Sequence, residues 1–184
     1  VTGTDSNYFA AQDWSFREGR PFTDGELRSG ASVCVIGSTI VAELFGSLEP
    51  LGNRLRVGSF ACEVIGVLDS KGQSAFGTDQ DNTVIMPLRT FHRRIAGNTR
   101  IGSISISVAE RNDIPRVQAE TEAVLREVRR VGNGEEDDFT VRDMTQIANT
   151  MAMTSTLLTG LLGAVAAVSL LVGGIGIMNI MLVS

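Results

Sequence analysis

LLTGLLGAVAAVSLLVGGIGIMNIMLVS, residues 157–184, is the stretch that decides how this 184-residue chain is organised. A helix needs about 20 apolar residues to cross the roughly 30 Å of hydrocarbon in a membrane. The stretch is longer than that, and residues 144–184 contain no Asp, Glu, Lys, Arg or His. A buried core helix is the alternative, but such helices are usually shorter and have a polar side. A signal peptide is excluded, because the stretch is C-terminal and no basic segment precedes it. We therefore predict a transmembrane helix at 158–184.

Small residues recur along one side of this predicted helix. Their spacings of three and four residues place them on a single stripe. In lipid there is little hydrophobic drive between helices, so close packing through Gly, Ala and Ser holds them together. We interpret the stripe as a surface for a partner helix, although Gly and Ala are common in any membrane helix. The packing stripe consists of Leu162, Ala166, Ser169, Gly173, Gly176 and Ile180. Its four central small residues, Ala166, Ser169, Gly173 and Gly176, are the predicted packing residues.

Residues 144–157 precede the apolar stretch and are uncharged. Side chains recur there at spacings of three and four, as in the narrow contact line of a coiled coil. If residues 144–184 form one helix, it is about 60 Å long, about twice the hydrocarbon thickness. We therefore predict a stalk helix at 144–157 that joins a soluble domain to the membrane. Its predicted contact line, the stalk seam, consists of Met144, Ile147, Met151, Thr154 and Leu158.

All charged side chains lie in residues 1–143, and the formal net charge is −5. An acidic chain without a basic run is not expected to bind nucleic acid. The charged part is long enough for one good core or two small ones. Because the chain starts with Val and stops inside its apolar stretch, we expect it to be a piece of a longer protein.

The two cysteines, Cys34 and Cys62, lie in the apolar, strand-like contexts VCVIG and FACEVIG. Free cysteines in such contexts behave as small buried hydrophobic residues, and this is our interpretation. A disulfide between them is the alternative if this part of the chain lies outside the cytoplasm.

Residues 31–98 alternate short apolar runs with turns rich in Gly and Ser, which predicts several short strands. The first thirty residues read as irregular, anchored to the core by scattered aromatic side chains. Beyond them, strands are predicted at 33–36, 51–57, 62–68 and 84–86, and helical segments at 39–45 and 90–95.

A long polar loop, DSKGQSAFGTDQDNT at 69–83, lies between the strands predicted at 62–68 and 84–86. Long polar loops carry function more often than chance, so we predict that it contacts a substrate or partner. The candidate residues are Gln73, Phe76, Asp79, Asp81 and Asn82.

Residues 99–143 read as strand, helix, strand. Ile104, Ile106 and Val108 alternate with serines, the pattern of a strand with one buried face. Asp113 and Pro115 then mark a helix start, and Gly132 its end. A second strand is predicted at 139–142. This order predicts a βαβ unit, half of a ferredoxin-like fold. Its helix is expected to face inward through Val117, Thr121, Val124, Leu125 and Val128.

Catalytic chemistry is not supported by the residues. Lys71, the one lysine, is followed by Gly72 rather than by Ser or Thr, so the chain contains no Walker A phosphate loop. The one histidine, His92, lies beside Arg93 and Arg94 and is expected to be solvated. A zinc site built on imidazoles needs more than one histidine.

Residues 79–82 resemble the start of a calcium-binding loop, through Asp79, Asp81 and Asn82. The twelfth position of such a loop requires a bidentate Glu, and Thr90 stands there instead. We therefore expect no metal, no cofactor and no catalytic residue in this chain.

VGGIGIMNIMLVS, at 172–184, closely resembles the second membrane helix of MacB-like ABC transporter permeases, the FtsX-domain family. Other stretches resemble this family in the same order, so that the likeness runs over essentially the whole chain. They are GTDSNYF, EGRPFT, VCVIGSTIVAELFG, PLGNRLRVG, IGVLDSKGQSAFGTDQDNTVIMPL and DFTVRDMTQI.

The resemblance implies an α+β extracytoplasmic domain inserted between the first and second of four membrane helices. Residues 1–98 would form its β-rich subdomain and 99–143 an incomplete ferredoxin-like βαβ subdomain. The stalk at 144–157 and the transmembrane helix at 158–184 would then begin the FtsX-like permease region. The first membrane helix, and the first strand and helix of the ferredoxin-like part, would precede residue 1.

The resemblance also implies an ATP-driven exporter in the inner (cytoplasmic) membrane, with residues 1–143 outside the cytoplasm. Such permeases act as homodimers with an ABC ATPase domain or subunit. Motion driven by the ATPase passes through the stalk to the outer domain and expels macrolides, peptides, other amphiphiles or lipoproteins. A periplasmic adaptor and an outer-membrane channel are further implied partners.

Two alternatives remain open. One is an FtsX-like transmembrane signalling module that activates a cell-wall hydrolase. The other is a membrane-tethered binding domain without an ATPase.

Overall fold

The computed structural model describes residues 1–74, 77–132 and 136–183. The chain divides into two compact units, residues 1–107 (unit 1) and 108–184 (unit 2). Unit 1 contains a mixed sheet with short helices, and unit 2 contains two longer helices. This composition confirms the predicted α+β class. The predicted domain boundaries at 98/99, 143/144 and 157/158 stay predictions.

Six strands form the sheet of unit 1, in the order β1-β6-β3-β5-β2, with β4 also paired to β5. Strand β3 pairs in parallel with β5, and β1 in parallel with β6, while the other pairs are antiparallel. Because β3 occupies one edge of β5, strands β2 and β4 share the other edge. The strands are β1 (Thr2–Thr4), β2 (Phe16–Gly19), β3 (Val33–Ile36), β4 (Arg54–Val57), β5 (Phe60–Leu68) and β6 (Val84–Pro87).

Short helices connect these strands: α1 (Asn7–Ala11), α2 (Asp24–Ser29), α3 (Ser38–Ile40) and α4 (Leu88–Phe91). Helices α3 and α4 each continue into a π-helical turn, at Val41–Phe45 and His92–Ala96.

Helix α2 begins with a capping box, in which the Thr23 hydroxyl accepts from the Glu26 N–H and the Glu26 carboxylate accepts from the Thr23 N–H. Both terminal nitrogens of Arg20 also donate to Glu26, at 2.8 Å each. Mainly because of these Arg20 bonds, the pKa of Glu26 is lowered to about 2.

The sheet is buried on both faces, because successive side chains of β3 enter two separate clusters. Cys34 and Ile36 point into one cluster, and Val35 points into the other. The second cluster also holds Phe9 and Phe22, which confirms that the N-terminal aromatic residues anchor this region to the core.

The prediction that residues 1–30 are irregular was wrong, since β1, α1, β2 and α2 all lie there. These elements are three to six residues long, too short to give a periodic pattern. Their strands are fixed by pairing with β6 and β5, far along the sequence. The later strands are confirmed, with β4 shorter than predicted and the β4–β5 hairpin turning at Gly58-Ser59.

The interpretation of Cys34 and Cys62 as free cysteines was wrong, because they form a disulfide. The parallel pairing of β3 with β5 brings their Cα atoms to 5.8 Å. Both side chains are buried in the first core cluster. The bond therefore fastens two adjacent central strands to each other.

Unit 2 contains α5 (Ile114–Arg129), preceded by a short 3₁₀ turn at Arg111–Asp113, and α6 (Met144–Val183). Helix α5 confirms the helix of the predicted βαβ unit. The two strands predicted for this unit were wrong, since residues 101–108 and 139–143 form no strand. Alternation of apolar and polar residues indicates an amphipathic segment, but a strand also needs a neighbouring strand to which it can hydrogen-bond. Ile104 and Ile106, predicted to be buried, are 67% and 54% exposed.

The predicted inward face of α5 is also partly corrected. Val117, Thr121 and Leu125 are half-buried, but Val124 and Val128 are exposed. The spacing of the apolar residues correctly predicted a helix. The number of side chains that it buries depends on what packs against it.

We predict that removing the disulfide with Cys34→Ala/Cys62→Ala lowers the free energy of unfolding of unit 1 by about 2–4 kcal/mol. The bond closes a loop across a sequence separation of 28 residues, which restricts the unfolded chain. Urea unfolding followed by the fluorescence of Trp14, the one tryptophan, measures the change. A reductant should destabilise the wild type and leave the double variant unchanged. Equal stability of the oxidised wild type and the variant would contradict the prediction.

Candidate functional site

Helix α6 carries both sets of residues predicted to be mechanically important. It runs without interruption over 40 residues, from Met144 to Val183, which gives a length of about 60 Å. At about 100° per residue, the stalk seam and the packing stripe fall within about one third of the circumference. Continuity of the helix therefore joins the seam and the stripe into one long face.

This face is largely open within the described chain. Met144 and Leu158 of the seam are exposed, while Ile147 is half-buried. A Cβ placed on Gly173 would meet no atom within 4 Å, which leaves room for close approach of another helix. Part of α6, Met144–Ile175, is long and apolar enough to cross a membrane, and its most apolar window is not buried in the described chain. Gly176 and Ile180 lie on the helix, outside the residues whose side chains are described.

Five described hydroxyl side chains along α6 bond to the helix itself. Each donates to the carbonyl oxygen four residues earlier, at 2.9 Å. In lipid, where water is absent, an unpaired hydroxyl would be costly. These bonds allow the five hydroxyls to enter an apolar surrounding without another partner. The donors are Thr150, Thr154, Thr156, Thr159 and Ser169.

The polar loop at 69–83 is organised around one buried carboxylate. Asp81 is only 3% exposed and accepts hydrogen bonds from the Ser70 hydroxyl, from the Lys71 N–H at 2.8 Å and from the Gly72 N–H at 3.0 Å. Burial tends to raise the pKa of Asp81. The bonds from Ser70, Lys71, Gly72 and Ser38 outweigh it, so the net shift is downward. The carboxylate thus holds the two ends of the loop together in its charged form.

The backbone of Gly37 lies close to the end of the 69–83 loop. Gly37, at the start of α3, lies against Asp81, and a Cβ there would come within 2.1 Å of the Asp81 carbonyl oxygen. The Gly37 N–H also donates to the Thr83 carbonyl at 2.9 Å. Only glycine permits this approach, so the end of the loop is fixed against β3.

The candidate contact residues of the loop therefore have different surroundings. Asp79 is exposed but accepts from the Thr39 hydroxyl and from the Asp81 N–H, both at 2.8 Å. Gln73 pairs with Asp79 in an isolated antiparallel β-bridge. Gln73 and Asn82 are exposed. Phe76 lies outside the described residues. Asp81 is buried and holds the loop, and the prediction that these residues contact a substrate or partner stays a prediction.

Two contacts of the loop were not foreseen from sequence. The Lys71 ammonium donates to the Gln12 carbonyl at 2.5 Å and lies 4.4 Å from the centre of the Trp14 ring. This cation–π contact ties the loop to the segment after α1. The side chain of Gln12 donates in turn to Ser105 at 3.1 Å. Lys71 and Trp14 are far apart in the sequence, so no sequence pattern indicates their contact.

The expectation that His92 is solvated was wrong. Its Nε2 is buried and has no hydrogen-bond partner in the described parts of the chain. The ring lies beside Phe91 at the junction of α4 and its π-helical turn. Neighbouring arginines in sequence therefore did not indicate the surroundings of the imidazole. Among the described residues, no group of His, Cys, Asp and Glu side chains is arranged to hold a metal ion.

The sequence matches a known domain family. The family described as "MacB-like periplasmic core domain" matches residues 1–124. Two curated relatives named "Macrolide export ATP-binding/permease protein MacB" align with the whole chain, from Marinobacter nauticus at 42% identity and from Rhodospirillum rubrum at 41%. The chain spans 28% of the length of each.

Two solved structures have a similar fold. The periplasmic region of MacB from Actinobacillus actinomycetemcomitans aligns with a TM-score of 0.62 and 22% identity, covering 82% of this chain and 64% of that one. The extracellular domain of the ABC-type transporter YknZ from Gram-positive bacteria aligns with a TM-score of 0.60 and 23% identity. It covers 77% of this chain and 68% of its own. At these identities the likeness concerns the fold.

We predict that Asp81→Asn lowers the free energy of unfolding of unit 1 at pH 7 by about 1–3 kcal/mol, because an amide cannot accept all the bonds that reach this buried carboxylate. The pKa of Asp81 is lower in the folded chain than in the unfolded one. Its stabilisation is therefore complete above about pH 4, the ordinary range of Asp, and is lost as pH falls through the lower folded value.

Urea unfolding followed by Trp14 fluorescence between pH 7 and pH 2 tests this. The stability difference between wild type and variant should shrink below about pH 4. Asp69→Asn, an exposed carboxylate at the start of the same loop, is the matched control and should change stability little. A difference that stays constant over this pH range would show that the charge of Asp81 is not what holds the loop.

Proposed function

Because this chain belongs to the MacB-like periplasmic core domain family, we propose that it is the permease part of an ATP-driven exporter. Family membership places residues 1–124 in the periplasm, and α6 supplies a helix long enough to cross the inner membrane. In the proposed mechanism, ATPase-driven motion travels along α6 and displaces the periplasmic part. The observation that carries this proposal is the unbroken 40-residue helix, which contains both the stalk seam and the packing stripe.

A helix of this kind is suited to transmit movement over its length. Its backbone bonds lie within the helix, and five of its described hydroxyls bond back to its own carbonyls, so these groups need no fixed polar partner. A shift or rotation applied at the membrane end would therefore reach the stalk end about 60 Å away. Small residues on the stripe would let a neighbouring helix slide or rock at close range.

The substrate class proposed first is macrolides, since the two aligned relatives are named macrolide export proteins. Peptides, other amphiphiles and lipoproteins remain within the proposal. The partners are an ABC ATPase domain or subunit, in the same chain or a separate one, and a second copy of the permease. A periplasmic adaptor and an outer-membrane channel complete the proposed export path. We assign no cofactor and no catalytic residue to this chain, so ATP hydrolysis belongs to the ATPase.

We predict that Gly173→Leu abolishes close helix packing on the stripe and reduces ATP-coupled export at least tenfold, while nucleotide still binds. A leucine side chain would fill the open space next to Gly173 that a partner helix needs. The full-length protein with its ATPase, in lipid nanodiscs or proteoliposomes, allows hydrolysis and erythromycin export to be measured together.

Gly174→Leu is the matched control, because it makes the same change at the same depth but about 100° away from the stripe. It should export at the wild-type rate. If both variants behave alike, the stripe has no special role in coupling. If the wild type itself neither hydrolyses ATP nor exports, the chain is better explained as a tethered binding domain.

We predict that Met151→Asp in the stalk seam lowers export per ATP hydrolysed, since a carboxylate on the seam would disfavour contact with a partner helix. Met153→Asp places the same charge on the opposite side of α6, where the side chain is 68% exposed, and should be tolerated. The ratio of exported erythromycin to released phosphate is the measurement. Equal ratios for the two variants would remove the seam from the mechanism.

A further inference from the structure

Two arginines near the end of α5 are paired with two consecutive aspartates of the following segment. Arg126 Nε lies 3.2 Å from Asp137 Oδ1. Arg129 Nε donates to both oxygens of Asp138, at 2.7 Å and 2.9 Å, and its Nη2 also donates to Oδ2. Because Arg126 and Arg129 are three residues apart on one helix, they lie on the same side of α5. We call these two pairs the ionic clasp.

The clasp lies at the C-terminal end of α5. The helix ends at Arg129, the cap residue Arg130 has a left-handed conformation with φ 56°, and the Val131 N–H donates to the Arg126 carbonyl at 3.0 Å. Asp137 and Asp138 thus lie beside the last turn of α5, which carries Arg126 and Arg129. The side chain hydrogen bonds from Arg129 are the main cause of a lowered pKa for Asp138.

The aspartates lead directly into the long helix. Residues 139–143 connect the aspartates to α6. Asp143 then caps α6, since its Oδ1 accepts from the Thr145 N–H at 2.8 Å. Only the segment between Asp138 and Asp143 thus separates the clasp from the first turn of α6.

Exposed ion pairs contribute little to folding stability. Their geometric effect can still be large, since a bidentate arginine fixes both the distance and the orientation of its carboxylate. Two adjacent pairs also restrict rotation more than one pair does. The clasp is therefore better suited to hold the start of α6 in position than to stabilise the unit.

We propose that the ionic clasp couples α5 to the start of α6, so that movement of the long helix is passed to α5 through Arg126–Asp137 and Arg129–Asp138. This inference rests on the proposed function, in which α6 transmits motion. It assigns positioning roles to four charged residues that lie on neither the stalk seam nor the packing stripe.

The test uses charge reversal in the full-length protein with its ATPase, in nanodiscs. Spin labels at Glu120→Cys on α5 and Met153→Cys on α6 report the distance between the two helices, and both positions are exposed. We expect a narrow distance distribution in the wild type, a distribution at least twice as broad with Arg129→Asp or Asp138→Arg, and recovery in the Arg129→Asp/Asp138→Arg double variant.

Arg116→Asp is the matched control. It reverses an exposed arginine of the same helix that pairs with Asp113 at 3.4 Å, at the other end of α5 from the clasp. It should leave the distribution narrow. A distribution that is equally narrow with Arg129→Asp, or that stays broad in the double variant, would overturn the clasp. If a reversal variant fails to fold, the neutral Arg129→Gln/Asp138→Asn variant replaces it, with the same broadening expected.

Export per ATP hydrolysed, measured with erythromycin in proteoliposomes, separates this inference from the function on which it rests. The single reversals should lower the ratio at least fivefold, and the double variant should return it to within twofold of wild type. Recovery of distance and of export supports the clasp as a coupling element. Recovery of distance with an unchanged export ratio in all variants overturns its role in coupling. A wild type that shows the expected distances but no ATP-driven export overturns the proposed function and leaves the ionic contact itself standing.

Discussion

The absence of water in the hydrocarbon layer is the constraint on which the rest of this chain depends. Every polar group that enters the layer must be paired within the protein. The backbone of helix α6 and five of its described hydroxyls meet this condition, since these hydroxyls bond to carbonyls one turn earlier. Hydroxyls that bond in this way are not available to a partner helix. Close contact at Gly173 and its small neighbours then depends on shape.

The same constraint explains why the charged side chains and the long apolar helix occupy different parts of the chain. Charge is confined to residues 1–143, so no ionisable side chain lies at the depth where ion or proton pathways are built. The charged side chains lie in the part before α6, where the 69–83 loop is held by Asp81 and Lys71. In the proposed mechanism, α6 supplies the movement. An exporter that acts on its substrate outside the lipid span would have this division, since the span then needs only to move.

Much of this fold could be predicted from sequence where the signal is local. Strands β3, β5 and β6 and helix α6 follow from runs and spacings within single segments. The face shared by seam and stripe follows too, because helical geometry converts spacing directly into direction. Strands β1 and β2 could not be predicted, since each has only three or four residues and gains its stability from β6 or β5. The surroundings of Asp79 and Asp81 could not be predicted from sequence either. Composition does not distinguish a solvent-facing carboxylate from one that binds Thr39 or Ser70.

The disulfide connects the fold to the side of the membrane on which it lies. It depends on the parallel register of β3 and β5, which pairs Val33 with Glu63 and so brings Cys34 near Cys62. Such a bond persists in an oxidising compartment and is rare in the cytosol. The positive-inside rule gives little guidance here, because the segment before α6 is mainly acidic and carboxylates scarcely affect orientation. The disulfide indicates, from the chain itself, on which side of the membrane unit 1 lies. Unit 1 belongs on the oxidising side, and this agrees with the periplasmic placement of its family.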